Sequence, residues 1–215
     1  MLPLAVLLEA LADSDAPTTV HAPAQAVDVH LADSLAGLVV SALRDARRIA
    51  DLGSGAGLPG LALAVALPDA TVTCVESASR KAAFIAATAE LMGLDSVDVR
   101  PVRVEEWTGG RCDAVCARAV APLAVLVEYA APVLAPGGSL VAWKGEVSED
   151  ERAAGAVAAG LVGLQERDVV QVHPFPAARH RWLHVYEKVA QTPGRFPRRP
   201  GMAVKRPLGS DRGGR

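Results

Sequence analysis

The segment DLGSGAGLPG at residues 51–60 has the composition of a ligand-binding loop. Glycines let the backbone turn sharply and approach a ligand closely, and a helix that begins beyond them offers free N–H groups. Gly53, Gly55 and Gly57 match the G-x-G-x-G pattern of S-adenosylmethionine binders, whereas Gly55, Gly57 and Gly60 match the G-x-G-x-x-G pattern of dinucleotide binders. The loop therefore predicts a nucleotide-like cofactor and leaves these two classes open.

Acidic residues further along the chain could complete a site for either cofactor. Glu76 suits ribose hydroxyls, and a Val104-Glu105 pair could hold an adenine, with the carboxylate accepting from the exocyclic amine. Only two tyrosines exist, Tyr129 and Tyr186, and neither is followed four residues later by a lysine. This absence of proton-transfer machinery, in a chain too short for a second full domain, favours S-adenosylmethionine.

Alternating strand-like and helix-like runs predict an α/β fold that positions these residues. The predicted strands are 47–52, 71–76, 97–104, 113–118, 139–144, 168–173 and 181–189, and helices ending near 67, 92, 134 and 164 connect them. The last two strands have no helix between them and must pair as an antiparallel hairpin. We therefore expect a seven-stranded, mostly parallel sheet with one reversed edge, preceded by a short helical extension.

Polar residues end five of the predicted strands. They are Asp51, Glu76, Glu105, Arg118 and Lys144. Because ligands of open α/β sheets bind beyond the carboxyl ends of the strands, we expect these side chains to surround the site.

Composition excludes several other classes of protein. The 215 residues are 51% hydrophobic and 21% charged, which is typical of a folded core and not of a disordered chain. No apolar stretch reaches the ~18 residues of a membrane span. The three cysteines lack metal-ligand spacing. We expect a cytoplasmic protein that holds no metal.

Basic residues are concentrated at the end of the chain. Residues 190–215 contain seven Lys and Arg against Asp211, a net charge of +6, whereas residues 1–189 carry −8. Such a segment favours phosphate backbones, although a solvated terminus is the alternative. We divide the chain into an N-terminal extension (1–37), a central domain (38–189) and a basic tail (190–215).

Several ordered motifs resemble one bacterial family, RsmG, the small-subunit rRNA guanine-N7 methyltransferases also called glucose-inhibited division protein B. The resemblance covers about residues 28–209. The motifs are HLADSL (30–35), DLGSGAGLPG (51–60), VES (75–77), RVEE (103–106), RAVAPL (118–123), KG (144–145) and the tail segments FPR (196–198) and KRPL (205–208).

The resemblance implies a class I S-adenosylmethionine-dependent methyltransferase (Rossmann-like) fold that methylates N7 of one guanine in 16S rRNA. Arg118 would lie beside the cofactor at the substrate mouth. The 16S rRNA or a small-subunit precursor would be the partner of a monomeric enzyme. The residues that would bind the cofactor are Asp51, Gly53, Gly55, Gly57, Leu58, Glu76, Val104, Glu105 and Arg118.

Guanine N7 carries an in-plane lone pair and has no proton to lose, so its methylation requires alignment and no general base. Lys144 and Arg118 are the expected catalytic residues, as candidates to donate to guanine O6 or to a phosphate. His30 and Asp33, at helical spacing on one face, are expected at the substrate pocket, and a local pair that binds no substrate is the alternative. Further RNA contacts are expected from Arg198, Arg199, Lys205 and Arg206. A methyltransferase for a small metabolite and a non-catalytic RNA-binding assembly factor are the alternative functions.

Overall fold

The computed structural model describes residues 2–210. Its strands are β1 (Arg48–Leu52), β2 (Thr71–Val75), β3 (Val97–Arg100), β4 (Cys112–Arg118), β5 (Leu134–Lys144), β6 (Leu164–Gln171) and β7 (Trp182–Lys188). Its helices are α1 (Pro3–Ala12), α2 (Pro23–Ala26), α3 (Asp33–Leu35), α4 (Ser41–Arg44), α5 (Gly60–Ala66), α6 (Ser79–Met92), α7 (Leu123–Ala130), α8 (Glu149–Val162) and α9 (Met202–Lys205). A π-helical turn (Val27–Ala32) and two 3-10 turns (Ala36–Val39, Val104–Glu106) complete these elements.

The strands form one sheet in the order β3-β2-β1-β4-β5-β7-β6. Strands β1 to β5 are parallel, and β7 is antiparallel to both β5 and β6. The expected seven-stranded, mostly parallel sheet with an antiparallel hairpin is confirmed. The reversed strand, however, is one position in from the edge, because β7 inserts between β5 and β6. Strand order reverses between β1 and β4, so a ligand crevice is expected where these two strands end.

A bulge in β5 explains the largest error in the predicted boundaries. The sequence Pro136-Gly137-Gly138 predicts a turn before a strand at 139, but it lies inside β5, which begins at Leu134. Cys112 pairs with Leu134 and Ala114 with Ser139, so the extra residues bulge out of the ladder. The preceding helix consequently ends at Ala130 and not near 134.

Two other strand boundaries also differ from the expectation. Gly163, with φ at 87°, terminates α8 so that β6 begins directly at Leu164 and not at 168. Strand β3 ends at Arg100, and the 3-10 turn that follows contains Val104 and Glu105.

The N-terminal helices belong to the same core as the sheet. Leu7 and Leu11 of α1 are fully buried and cluster with Ile49 of β1, Val72 of β2 and Ile85 of α6. A second cluster, under α7 and α8, covers the other face of the sheet. Within residues 2–210 no helix is long and apolar enough to cross a membrane, and no three His, Cys, Asp or Glu side chains gather as metal ligands.

Candidate active site

The glycine loop turns between the end of β1 and the start of α5. Gly53, Gly55 and Gly57 have φ of 70°, 59° and 85°, a left-handed conformation that favours glycine. The N–H groups of Gly53 and Ser54 both donate to the Val75 carbonyl, at 2.8 and 3.2 Å. The loop is thereby tied to the end of β2, and its left-handed residues are those of the G-x-G-x-G pattern.

Glu76 holds this loop and retains capacity to bind a ligand. Its Oε2 accepts from the Gly55 N–H at 3.0 Å, and its Oε1 accepts from the Ala78 N–H at 2.8 Å. A carboxylate oxygen accepts more than one hydrogen bond, so both oxygens can also receive a ribose hydroxyl. A Cβ built on Gly55 would meet, among the described residues, only the Gly53 carbonyl at 3.9 Å, which leaves room for that ligand.

Asp51 supports the loop from beneath. The side chain is fully buried, and its Oδ2 accepts from the Gly60 N–H at 2.9 Å. Its Oδ1 has no hydrogen-bond partner among the described residues. Burial raises the pKa of Asp51 to about 6, against the opposing effect of the Gly60 N–H. Asp51 therefore shapes the loop from its buried side.

A cavity of about 410 Å³ lies over the ends of β1, β2 and β4. Four of the residues expected to bind the cofactor line it, namely Gly53, Glu76, Val104 and Glu105. Glu105 Oε1 accepts from the Tyr129 hydroxyl at 3.0 Å and from the Gly201 N–H at 2.8 Å. Neither contact uses Oε2, which can accept from an adenine amine. We call this cavity the cofactor pocket.

The other expected cofactor residues lie elsewhere. Leu58 is in the hydrophobic core, and a Cβ on Gly57 would meet Leu61 at 2.6 Å, so both shape the loop from its buried side. Arg118 lines a second cavity of about 430 Å³.

This second cavity, the acceptor pocket, adjoins the cofactor pocket. Arg118 and Ala119 line the acceptor pocket and the next residue, Val120, lines the cofactor pocket. Arg118 Nη1 donates to the Val29 carbonyl at 3.1 Å and to Asp33 Oδ2 at 3.0 Å. Consecutive residues at the end of β4 thus line the two pockets, and the guanidinium of Arg118 is fixed on the side of the acceptor pocket.

His30 and Asp33 both line the acceptor pocket, and the chain through His30 is a π-helical turn (Val27–Ala32) and not a regular α-helix. His30 Nε2 lies 2.9 Å from Thr18 Oγ1. Burial, and then the Arg118 charge, lower the pKa of His30, so the ring is neutral at pH 7. Asp33 lies between Arg118 and Arg181, whose Nε is 3.3 Å from Asp33 Oδ1.

Lys144 lines the acceptor pocket, yet its charge is engaged. Lys144 Nζ lies 2.7 Å from Glu151 Oε1 and donates to the Ala121 carbonyl at 3.3 Å. Glu151 Oε1 also accepts from the Leu123 N–H at 3.0 Å. Although burial raises the pKa of Glu151, the hydrogen bonds from Lys144 and Leu123 outweigh it and lower that pKa. Lys144 thus fixes the chain that follows β4.

The four tail residues expected to contact RNA separate into two kinds. Arg198 is paired with the buried Glu128 through Nε and Nη2, so most of its hydrogen-bonding capacity is used within the protein. Arg199, Lys205 and Arg206 are exposed, and Lys205 stands at the rim of the cofactor pocket.

Sequence reasoning missed several residues that shape the two pockets. Tyr129 and Gly201 hold Glu105 from 24 and 96 residues away, and no local pattern indicates either contact. Trp143 lines the acceptor pocket, and its Nε1 donates to the Asp33 carbonyl at 2.8 Å. Its place beside the strand-end residue Lys144 is a signal that could have found it.

Comparison with known proteins identifies the family. The model of the GidB family, described as rRNA small subunit methyltransferase G, matches residues 6–180. The chain belongs to this family. It is 44% identical over 187 residues to the ribosomal RNA small subunit methyltransferase G of Rubrobacter xylanophilus, covering 83% of this chain and 72% of that protein. The protein of the same name from Deinococcus deserti is 42% identical over 186 residues, covering 83% and 75%.

A solved structure supports the fold of this family member. The Burkholderia thailandensis 1,6-didemethyltoxoflavin-N1-methyltransferase, which has S-adenosylhomocysteine bound, aligns with a TM-score of 0.58 at 17% identity over 87% of this chain and 89% of that one. At this identity the likeness concerns the fold alone. The expected class I methyltransferase fold is confirmed, and the chain is a member of a family of rRNA methyltransferases.

Proposed function

We propose that this protein methylates N7 of a specific guanine in 16S rRNA. The observation that carries the proposal is the junction of the cofactor and acceptor pockets at residues 118–120 in a member of this family. The cofactor supplies an electrophilic methyl group, and the acceptor pocket receives the base.

The groups around the acceptor pocket suit a nucleophile that needs no deprotonation. Asp33 is engaged by Arg118 and faces Arg181, and His30 is held by Thr18. The residues therefore align the base, and alignment of this kind can supply ~7–11 kcal/mol of the barrier. Guanine N7, with its exposed lone pair, is an acceptor that this arrangement can use.

Arg118 is the group best placed to donate to guanine O6. Its Nη1 is fixed by Val29 and Asp33, which leaves its other N–H groups for a ligand. The Asp33 charge offsets the guanidinium, so the positive charge that develops on the purine meets less repulsion. Lys144, held by Glu151, acts by fixing the chain after β4.

We also infer that the enzyme acts as a monomer on rRNA or on a small-subunit precursor in the cytoplasm. Three exposed cations of the C-terminal segment support this RNA contact. They are Arg199, Lys205 and Arg206.

The test is product analysis. Small subunits that lack the modification are incubated with the enzyme and methyl-labelled S-adenosylmethionine, and the labelled nucleoside is identified. We expect 7-methylguanosine at one position of 16S rRNA from the wild type, reduced turnover from Arg118→Met with S-adenosylhomocysteine binding retained, and a smaller reduction from Lys144→Met. Label in another nucleoside would refute the proposal, and unaltered turnover in Arg118→Met would refute the role of Arg118.

A further inference from the structure

The C-terminal segment 192–208 forms one wall of the cofactor pocket. Gly201, Val204 and Lys205 all line that pocket. The Gly201 N–H donates to Glu105, the residue assigned to adenine. This segment therefore lies directly beside the adenine end of the pocket, although the sequence suggested a basic arm for RNA.

A buried ion pair fixes this wall to α7. Glu128 of α7 is fully buried, and its Oε1 accepts from the backbone N–H of Arg198 at 3.1 Å and from Arg198 Nε at 2.8 Å. Its Oε2 accepts from Arg198 Nη2 at 2.5 Å. These hydrogen bonds raise the pKa of Arg198, so the guanidinium stays charged. The removal of one partner would leave a buried charge uncompensated.

Helix α7 connects this ion pair to the adenine end of the pocket through adjacent residues. Glu128 binds Arg198, and Tyr129, the next residue, donates to Glu105. Phe196 and Ala203 are buried against the same core cluster, so the wall is packed on both sides of Arg198.

We infer that Arg198 is a positioning residue for S-adenosylmethionine, acting through Glu128 to hold residues 201–205 against the adenine end of the pocket. This inference rests on the proposed cofactor site but not on the identity of the methylated nucleoside. Arg198 would then affect cofactor affinity and leave the electrostatic contacts with RNA unchanged.

The experiment compares Arg198→Met with Arg199→Met, which replaces an exposed neighbour in the same segment. Calorimetry with S-adenosylhomocysteine, at a temperature where circular dichroism shows each variant folded, should give about tenfold weaker binding for Arg198→Met and less than about a twofold change for Arg199→Met. The KM for S-adenosylmethionine should rise in Arg198→Met while kcat at saturation stays near that of the wild type. The salt dependence of RNA binding should fall only in Arg199→Met.

A gentler variant keeps the inference testable if Arg198→Met does not fold. Gly201→Ala places a Cβ where the described residues leave open space, but it strains a left-handed residue whose N–H binds Glu105. It should also weaken S-adenosylhomocysteine binding. Unchanged binding in the folded variants, or a reduced salt dependence in Arg198→Met, would overturn the inference. Absence of binding to the wild type would instead refute the cofactor site.

Discussion

Asp33 connects the N-terminal part of the chain to the acceptor pocket. Its side chain is 10% exposed and lies between the guanidinium groups of Arg118 and Arg181. Its backbone carbonyl accepts from Trp143. One residue thus orients two cations and an aromatic ring that line the same pocket.

Replacement of Asp33 by Asn should reduce turnover and spare cofactor binding. The variant keeps the side-chain volume but leaves the two arginines without a counter-charge, which disturbs the alignment of the base and costs about 100-fold in kcat. Single-turnover methylation measures the loss, and calorimetry with S-adenosylhomocysteine serves as the control. Equal losses of cofactor affinity and turnover would contradict a role confined to the acceptor pocket.

Asp51 should make the stability of the protein depend on pH. Because burial raises its folded pKa to about 6 from an unfolded value of 3.8, the folded state binds the extra proton between these values. Ionisation of the buried carboxyl lowers the free energy of unfolding. This loss is absent below the unfolded pKa, grows as pH rises from the unfolded to the folded pKa, and is complete above pH ~6. An asparagine in place of Asp51 would carry no such cost, because its amide does not ionise.

Urea denaturation at two pH values therefore tests Asp51→Asn. The free energy of unfolding of the variant minus that of the wild type should become more positive by about 2 kcal/mol between pH 4.5 and 7.5. A difference that does not vary with pH would show that Asp51 does not titrate in this range.

At the level of elements, the glycine loop must fit against the chain that follows β4. A Cβ on Gly53 would lie 2.8 Å from Val120 Cγ2, at the junction of the two pockets. Gly93, at the end of α6, has a nearly equal φ of 68° and no atom of the described residues within 4 Å of its Cβ position. A comparison of alanine substitutions at these two glycines therefore distinguishes the cost of backbone strain from the cost of a steric clash.

Gly53→Ala should cost more than Gly93→Ala. Both substitutions strain a left-handed residue by about 1–2 kcal/mol, but only the first displaces Val120, so it should also weaken S-adenosylhomocysteine binding. Thermal unfolding and calorimetry measure the two effects. Addition of Val120→Ala to Gly53→Ala should recover part of the loss, and failure to recover any would argue against the conflict with Val120.

Patterns of local sequence predicted the elements well where one residue type decides the geometry. Gly93 ends α6 as expected, and the β-branched run at 71–75 forms β2. The prediction of a turn at Pro136-Gly137-Gly138 was wrong because these residue types occur both in turns and in β-bulges. Pairing of β5 with β4 here produces the bulge. The periodicity of the local sequence likewise does not indicate the π-helical turn around His30 or the contact of its ring with Thr18.

At the scale of the whole molecule, the strand-end rule located the site and the tail was the least predictable part. Glu76, Glu105 and Arg118 reach the two pockets because parallel strands end at one edge. The pairing of Arg198 with Glu128, 70 residues apart, requires the folded α7 and cannot be read from a net charge. A basic composition therefore predicted RNA contacts for a residue that is engaged within the protein.

The salt dependence of RNA binding should report the cations that remain free. Arg199→Met and Arg206→Met should each reduce the slope of log affinity against log salt by about 1 if each contacts one phosphate. Arg44→Met is the matched control. Arg44 is half exposed and lies just before β1, at the amino-terminal ends of the parallel strands, whereas the two pockets lie at their carboxyl ends. Slopes that change equally in all three variants would show a general charge effect and no defined RNA surface.

The central claim is that the site aligns an aromatic nitrogen and removes no proton from it. The most direct test is the single-turnover rate of 7-methylguanosine formation from pH 5 to 8, with cofactor and small subunits saturating and circular dichroism showing the enzyme folded at each pH. This range extends below the ordinary pKa of histidine, so an essential His30 base would be detected. We predict a rate that is constant with pH. A rate that rises tenfold per pH unit at the low end would reveal an essential base and contradict the account.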